Sequence, residues 1–189
     1  MAGVAHTLIL GGARSGKSRR AEALAATWLA AAPRRQAVLL ATACVGDSEM
    51  AQRIHRHQVD RAARAPALAT VEVPLALPAA LRAQGAPQRL LVVDCLTLWL
   101  TQCLMPIAGP GMDETAWDAE EAALLQALRD SASPVVLVSN EIGLGVLPLS
   151  REARHFVDAL GRLHQRVAAQ CSRVTLMVAG LPLHLKERA

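Results

Sequence analysis

Eight residues near the amino terminus, Gly11-Gly-Ala-Arg-Ser-Gly16-Lys17-Ser18, follow a short apolar run and open a helical stretch. They fit the pattern G-x-x-x-x-G-K-[ST], which restricts a chain to few folds because it works only as the turn between a strand and a helix. Its glycines let the backbone turn tightly, so that successive N–H groups converge on phosphate oxygens. The helix that follows points its positive end at the same anion. Lys17 adds a mobile charge for the β- and γ-phosphates, and Ser18 offers a hydroxyl to Mg²⁺. Gly11, Gly12, Ala13, Arg14, Ser15, Gly16, Lys17 and Ser18 are therefore candidates for gripping a nucleoside triphosphate, with Lys17 also at the catalytic step. The plain alternative is a glycine-rich turn with an incidental lysine. Only Lys17 and Lys186 stand against 18 arginines, which argues against accident.

The remaining sequence alternates short apolar runs with helical stretches. His6–Leu10, Ala37–Ala41, Ala69–Val73, Arg89–Val93, Val135–Ser139 and Val174–Val178 read as strands, the last of them closing the sheet. Helices are expected from the glycine-rich loop to about Ala32, and over Glu49–Arg64 with Ser48 as cap. Further helices are expected over Leu75–Ala83, Leu96–Met105 and Glu114–Asp130, and from Ser150 to Gln170 with Ser150 as cap. Such alternation implies an α/β, P-loop NTPase-like (RecA-like) fold of three layers with a mostly parallel central sheet. Residues 1–189 are expected to form a single nucleotide-binding catalytic domain.

In sheets of this kind ligands bind at the carboxyl ends of the strands. The junctions there are Gly11–Ser18, Thr42–Cys44, Asp94, Asn140–Glu141 and Ala179–Gly180. Asp94 ends the run Leu90-Leu-Val-Val-Asp94, a pattern in which the carboxylate orients Mg²⁺ or its water. A strand-terminal Asp can also simply cap the next helix.

Arg53, His57 and Arg61 recur at i, i+4 and i+8 and so share one helix face; His55 points elsewhere. Two cations beside His57 disfavour its charged form, and a neutral imidazole is a nucleophile. The arginines suit the phosphate it would attack. Spacing alone equally describes a solvated basic face with a bystander histidine.

Composition excludes several classes. Apolar residues make up 52% of the chain, which argues against disorder. A net charge of +4, with three Trp, one Phe and no Tyr, supplies neither the field nor the stacking platforms of a nucleic-acid binder. Cys44, Cys95, Cys103 and Cys171 form no C-x-x-C pair, so no zinc site is expected and a reduced, cytoplasmic protein is. No basic region precedes the first apolar run, so no signal peptide is expected. Leu90–Gly109 is mostly apolar but contains Asp94, Thr97, Thr101, Gln102 and Pro106; a buried strand and core helix explain it better than a membrane span.

At this point the sequence resembles the bifunctional adenosylcobinamide kinase/adenosylcobinamide-phosphate guanylyltransferases of cobalamin synthesis. The likeness runs through LILGGARSGKSRRAEALA (8–25), EMAQRIHRHQVDR (49–61), VVDCLTLWLT (92–101), SNEIGLGVLPLSREARHF (139–156), GRLHQRVAAQ (161–170) and VAGLPLHLK (178–186). The phosphate loop is shared by many families. The R-I-x-x-H-x-x-x-R and N-E-x-G-x-G-x-x-P segments are far more particular.

The resemblance implies two reactions. ATP or GTP phosphorylates the aminopropanol hydroxyl of adenosylcobinamide; GTP then gives GMP to a histidine, which passes it on to form adenosylcobinamide-GDP. The family's guanylylated histidine falls on His57, with Arg53 and Arg61 flanking it. By the same resemblance Thr42, Ala43, Cys44, Arg61, Ala62, Ala63 and Arg64 line the nucleotide site. Glu72 and Asp94 fall on carboxylates that contact guanosine, which for Asp94 competes with the Mg²⁺ reading; both stand. A homo-oligomer is implied. The chain departs from the family in Ala62, often Pro, and in His164, often Asn. No residue stands out as the general base of the kinase half. Two other classes remain as competitors: a P-loop small-molecule kinase without a covalent nucleotide, and a nucleotide-dependent switch binding a protein or DNA.

Overall fold

The computed structural model describes residues 4–187. Seven strands form one sheet: β1 (Thr7–Gly11), β2 (Gln36–Ala41), β3 (Ala69–Glu72), β4 (Arg89–Asp94), β5 (Val135–Asn140), β6 (Arg173–Val178) and β7 (Leu181–Glu187). Their order is β3-β2-β4-β5-β1-β6-β7, and every pairing is parallel except β6–β7. The helices are α1 (Lys17–Ala30), α2 (Ser48–Arg64), α3 (Leu77–Gln84), α4 (Leu96–Leu104), α5 (Glu114–Arg129) and α6 (Arg151–Gln170).

Period-2 alternation explains the three layers. Leu8, Leu10, Val38, Leu40, Leu91, Val93, Val135 and Leu137 join one buried cluster, which α3 to α6 close with Leu77, Leu81, Trp99, Leu124 and Leu160. The intervening residues Ile9, Leu39, Leu90, Val92, Val136 and Val138 face the other way, onto Ala21 and Ala25 of α1. Both faces are covered, so the central strands are apolar throughout rather than alternating. Each fully buried leucine contributes about 1.5–3 kcal/mol relative to exposure. Trp99 and Trp117 pack at 5.3 Å between ring centroids, and the Trp99 indole N–H donates to Leu75 O at 2.9 Å.

Two expectations need correction. α2 is capped by Asp47, whose carboxylate accepts from Met50 N–H; Ser48 is already its first residue. The sheet does not end at β6. Ala179 and Gly180 carry positive φ (51° and 81°) and turn the chain back into β7, the two-residue hairpin geometry. The apolar stretch 90–109 divides into β4 and the buried helix α4, and among the described residues no helix is long and apolar enough to cross a membrane. Ser150 caps α6 as expected, accepting from Ala153 N–H at 3.1 Å. Lys186 on β7 donates to Ala168 O at 2.8 Å, a cation bonded in the last turn of α6, which makes this second lysine a structural one.

Candidate active site

The phosphate loop leaves β1 at Gly11, where only glycine fits. A Cβ there would lie 2.6 Å from both Met177 O and Ser15 Oγ. Gly16 takes φ 97° and caps α1, turning the first N–H groups of that helix into the loop. Neighbouring elements pin the loop on two sides: Glu141 N–H donates to Gly11 O (2.9 Å) and Gly180 N–H donates to Ser15 O (3.1 Å). The Ala179–Gly180 turn thus touches the loop by its backbone. Lys17 is buried, and its Nζ donates to Gly12 O at 2.6 Å. Burial lowers the Lys17 pKa, while Cys95 and Asp94 pull it back up; the Asp94 carboxylate is therefore close enough to act on the ammonium.

Ser18 and Asp94 are both half-buried, and among the described residues neither side chain is committed to a hydrogen bond or ion pair. A hydroxyl and a carboxylate are the hard oxygen donors that Mg²⁺ accepts, with water and phosphate completing its shell. The donor set fits the ion, although no cluster of three or more His, Cys, Asp or Glu gathers among the described residues.

Thr42 sits differently from a ligand-lining residue. It is fully buried; its hydroxyl donates to Cys95 O (2.7 Å) and accepts from Cys95 N–H (2.8 Å), while its own N–H donates to Asp94 O (3.1 Å). Its side chain holds the Asp94–Cys95 segment in place. Ala43 and Cys44 are half-buried just beyond β2. Burial raises the Cys44 thiol pKa, and Glu72 raises it further, so these two lie together at the β2–β3 end of the sheet.

The helix α2 stands apart. None of its residues is buried, and Arg53, His57, Ala62 and Ala63 are exposed. Its recorded polar tie to the rest of the fold is Arg64, which pairs with Glu22 of α1 at 2.7 Å and with Asp60 at 2.7 Å. Glu22 is buried, and desolvation raises its pKa against the pull of Arg64 and Arg61. Glu22 also feels Asp94, so the carboxyl end of α2 lies over the same region as the phosphate loop. His57 stands seven residues before Arg64, about 10 Å along the helix axis. Arg64 is therefore engaged as a tether, and among the described residues no hydrogen bond or ion pair joins His57 to the loop.

Sequence reasoning missed two groups. The Glu22 anchor carries no motif. The second is a buried polar chain: Thr97 Oγ1 to Ser139 Oγ (3.0 Å), Ser139 Oγ to His164 Nε2 (2.7 Å), and His164 Nδ1 to Glu141 Oε2 (3.6 Å). Its signal was a Ser in an otherwise apolar strand and a Thr in an apolar helix.

Known proteins resemble the chain in sequence and in fold. The chain is 50% identical over 180 residues to the bifunctional adenosylcobalamin biosynthesis protein CobP of Pseudomonas aeruginosa, covering 95% of this chain and 96% of that one. To the bifunctional adenosylcobalamin biosynthesis protein CobU of Salmonella typhimurium it is 39% identical over 188 residues, covering 95% and 98%. Among solved structures, a Pyrococcus horikoshii protein superposes with a TM-score of 0.54 at 9% identity, covering 100% of this chain and 89% of that one. The flagellar accessory protein FlaH of Methanocaldococcus jannaschii gives 0.52 at 13%, covering 97% and 79%. Those two likenesses speak for the P-loop fold alone. The profile of the cobinamide kinase / cobinamide phosphate guanyltransferase family matches residues 7–185, and the chain belongs to that family.

Proposed function

We propose that the protein is a bifunctional cobalamin-biosynthesis enzyme, with both reactions carried by the one domain. In the first, ATP or GTP phosphorylates the alcohol of adenosylcobinamide. In the second, GTP transfers GMP to His57, releasing pyrophosphate, and the phosphorylated corrinoid takes the GMP to give adenosylcobinamide-GDP. The observation that carries the reading is a complete phosphate loop, with Lys17 buried beside Asp94, in a chain that matches the family over residues 7–185.

The loop N–H groups and the start of α1 receive the triphosphate, and Lys17 Nζ exchanges Gly12 O for a phosphate oxygen. Ser18 and Asp94 would hold Mg²⁺, which supplies charge neutralisation at the transferring phosphate. In the transferase step a lone pair of the His57 imidazole forms the N–P bond to the α-phosphorus while the α–β bond breaks and its electrons leave with pyrophosphate. Arg53 and Arg61 suit the charge on that triphosphate. Ala43, Cys44 and Glu72 border the nucleoside end. Glu72 carries the guanosine contact, leaving Asp94 to the cation.

The loop after Glu141 exposes Ile142, Leu144, Val146, Leu147 and Leu149, an apolar lip suited to a bulky corrinoid. Leu181, Leu183 and Leu185 are exposed on the edge strand β7, the kind of edge a second copy covers in a homo-oligomer. A consumer of ATP and GTP belongs in the cytoplasm.

The exposed, lightly anchored α2 favours one competitor, a P-loop small-molecule kinase without a covalent nucleotide. Incubating wild type and His57→Asn with Mg²⁺ and GTP labelled on the α-phosphate separates the two. Acid-labile, alkali-stable label on wild type alone supports the transferase. Nucleotide binding without label on either protein returns His57 to a bystander.

A further inference from the structure

We propose that Glu141 accepts the proton of the acceptor alcohol during phosphoryl transfer, and that Thr97, Ser139 and His164 form the hydrogen-bonded chain that positions its carboxylate. This rests on the kinase half of the function proposed above.

Sheet order puts Glu141 in the right place. The strand β5 lies between β4, which ends at Asp94, and β1, which ends at Gly11. Adjacent strands are about 4.8 Å apart, so these two ends are roughly 10 Å apart with the end of β5 between them. A triphosphate gripped by the loop after β1, with its cation at Asp94, must straddle that point. Asn140 is in register with Gly11, and Glu141 is the first residue beyond, its N–H bonded to Gly11 O. Its side chain remains 21% exposed, open to solvent at the strand end where the triphosphate lies.

The polarity of the chain follows from counting donors. Thr97 Oγ1 accepts from Asn140 N–H at 2.8 Å, so its own proton is free for Ser139 Oγ. Ser139, fully buried, then donates to His164 Nε2. A neutral imidazole has one donor and one acceptor, which leaves Nδ1–H facing Glu141 Oε2. The reverse polarity would set the Nδ1 lone pair against a carboxylate. Burial lowers the His164 pKa, which favours the neutral ring this polarity requires; the Glu141 carboxylate pulls the other way. At 3.6 Å the last contact is longer than a hydrogen bond and acts electrostatically, the Nδ1–H dipole facing the carboxylate. The other oxygen, Oε1, accepts from Gly143 N–H at 2.6 Å.

In the step itself the alcohol oxygen bonds to the γ-phosphorus as its proton passes to the Glu141 carboxylate. The bond to the β–γ bridging oxygen breaks, and its electron pair leaves with the nucleoside diphosphate. Glu141 returns the proton to solvent after product release.

The test measures phosphorylation of adenosylcobinamide by ATP with full-length wild type, Glu141→Gln, Ser139→Ala and His164→Phe. Glu141→Gln keeps the shape and removes the base; kcat falls about 100-fold or more while KM for ATP stays within about threefold. Ser139→Ala cuts the chain at a single oxygen, and His164→Phe fills the ring's volume without its nitrogens. Each lowers kcat by about tenfold at unchanged KM. The small Ser139→Ala change keeps the positioning claim testable if His164→Phe folds poorly. Glu141→Gln retaining more than about a third of kcat, or losing only KM, overturns the base assignment. Full kcat in Ser139→Ala overturns the positioning. A wild type that makes no phosphorylated product sinks the kinase reading, and this inference with it.

Discussion

Thr42 offers the sharpest test of how the site is held, because two side chains of nearly its own shape separate its roles. Its hydroxyl makes both a donor and an acceptor bond to Cys95, at 2.7 and 2.8 Å, in a fully buried position. Thr42→Val keeps the volume and deletes both bonds. Cys95 O still accepts from Trp99 N–H at 3.1 Å, so it keeps one partner, but Cys95 N–H is left buried and unpaired. An orphaned buried donor costs about 1–3 kcal/mol, and the lost second bond about 1 kcal/mol more. Thr42→Val should therefore destabilise by about 2–4 kcal/mol, lowering Tm by about 5–12 °C in a protein of this size. Thr42→Ser keeps both bonds and loses one methyl, about 0.5–1.5 kcal/mol. Urea and thermal melts of the three proteins decide the matter. A valine variant no less stable than the serine variant would refute the reasoning. The functional corollary is that Thr42→Val also weakens Mg²⁺-dependent nucleotide binding, because the clasp sets where Asp94 points.

Two further effects concern stability and pH. His6 is buried, with Nε2 bonded to Leu128 O (2.9 Å) and Nδ1 accepting from Val135 N–H (3.2 Å), so its neutral ring is fully used. Burial lowers its pKa below the ordinary 6.5, so the stability it contributes is present above that value and is lost as pH falls through the lowered one. Urea midpoints should drop between pH 7.5 and pH 5.5, and drop less for His6→Gln; equal slopes would remove His6 from the explanation. Glu121 is 2% exposed and has one oxygen without a partner among the described residues, while Arg166, its 2.6 Å partner, is 52% exposed. Burial raises its pKa, so its stabilising protonated form is lost as pH rises through the raised value. Replacing a whole buried ion pair with apolar residues is often neutral or stabilising by about 1–4 kcal/mol. Here the buried member alone can be replaced, because Arg166 is half in water and is not left as a buried charge, and the gain is smaller for the same reason. Glu121→Met should be at least as stable as wild type at pH 8 and gain less at pH 5; a lower Tm at pH 8 would show that the ion pair outweighs its desolvation.

The legible parts of the fold were those governed by one local rule. The phosphate loop, the six parallel strands and the Ser150 cap follow from residue type and period. The strand β7 was not legible because Val174–Val178 reads as the last strand, and Pro182 weakens the strand signal of Leu181–Glu187. It is an edge strand, where a missing N–H is tolerated. The Asp47 cap was overlooked for Ser48, one residue later, since both are good caps and only the dihedral angles choose between them. At the site, the strand-end positions were readable, but what each side chain does there was not. Thr42 and Arg64 both carry polar groups next to the nucleotide region, and both spend them on the protein: Thr42 on Cys95, Arg64 on Glu22. Those partners lie 53 and 42 residues away in the chain, a distance over which sequence spacing says nothing.

The phosphate loop and α2 are held by the fold to different degrees, and on the proposed function this bears on how two reactions use one nucleotide site. Around the loop, three backbone carbonyls are bonded to neighbouring strand ends: Gly11 O accepts from Glu141 N–H, Ser15 O from Gly180 N–H and Asp94 O from Thr42 N–H. Phosphoryl transfer depends chiefly on positioning, so a rigid floor suits it. The helix α2 has no buried residue and is tied to α1 through Arg64. On the function proposed above, a nucleophile on that helix acts on the α-phosphate, and the same loop must also present the γ-phosphate to an alcohol. Both centres cannot occupy one spot on a fixed frame. Placing the phosphoryl-transfer groups on strand ends and the histidine on an exposed helix lets the two reactions approach the nucleotide from different sides. Loosening Arg64 should then disturb guanylylation more than phosphorylation, because His57 and the arginines that flank it, Arg53 and Arg61, all ride on α2.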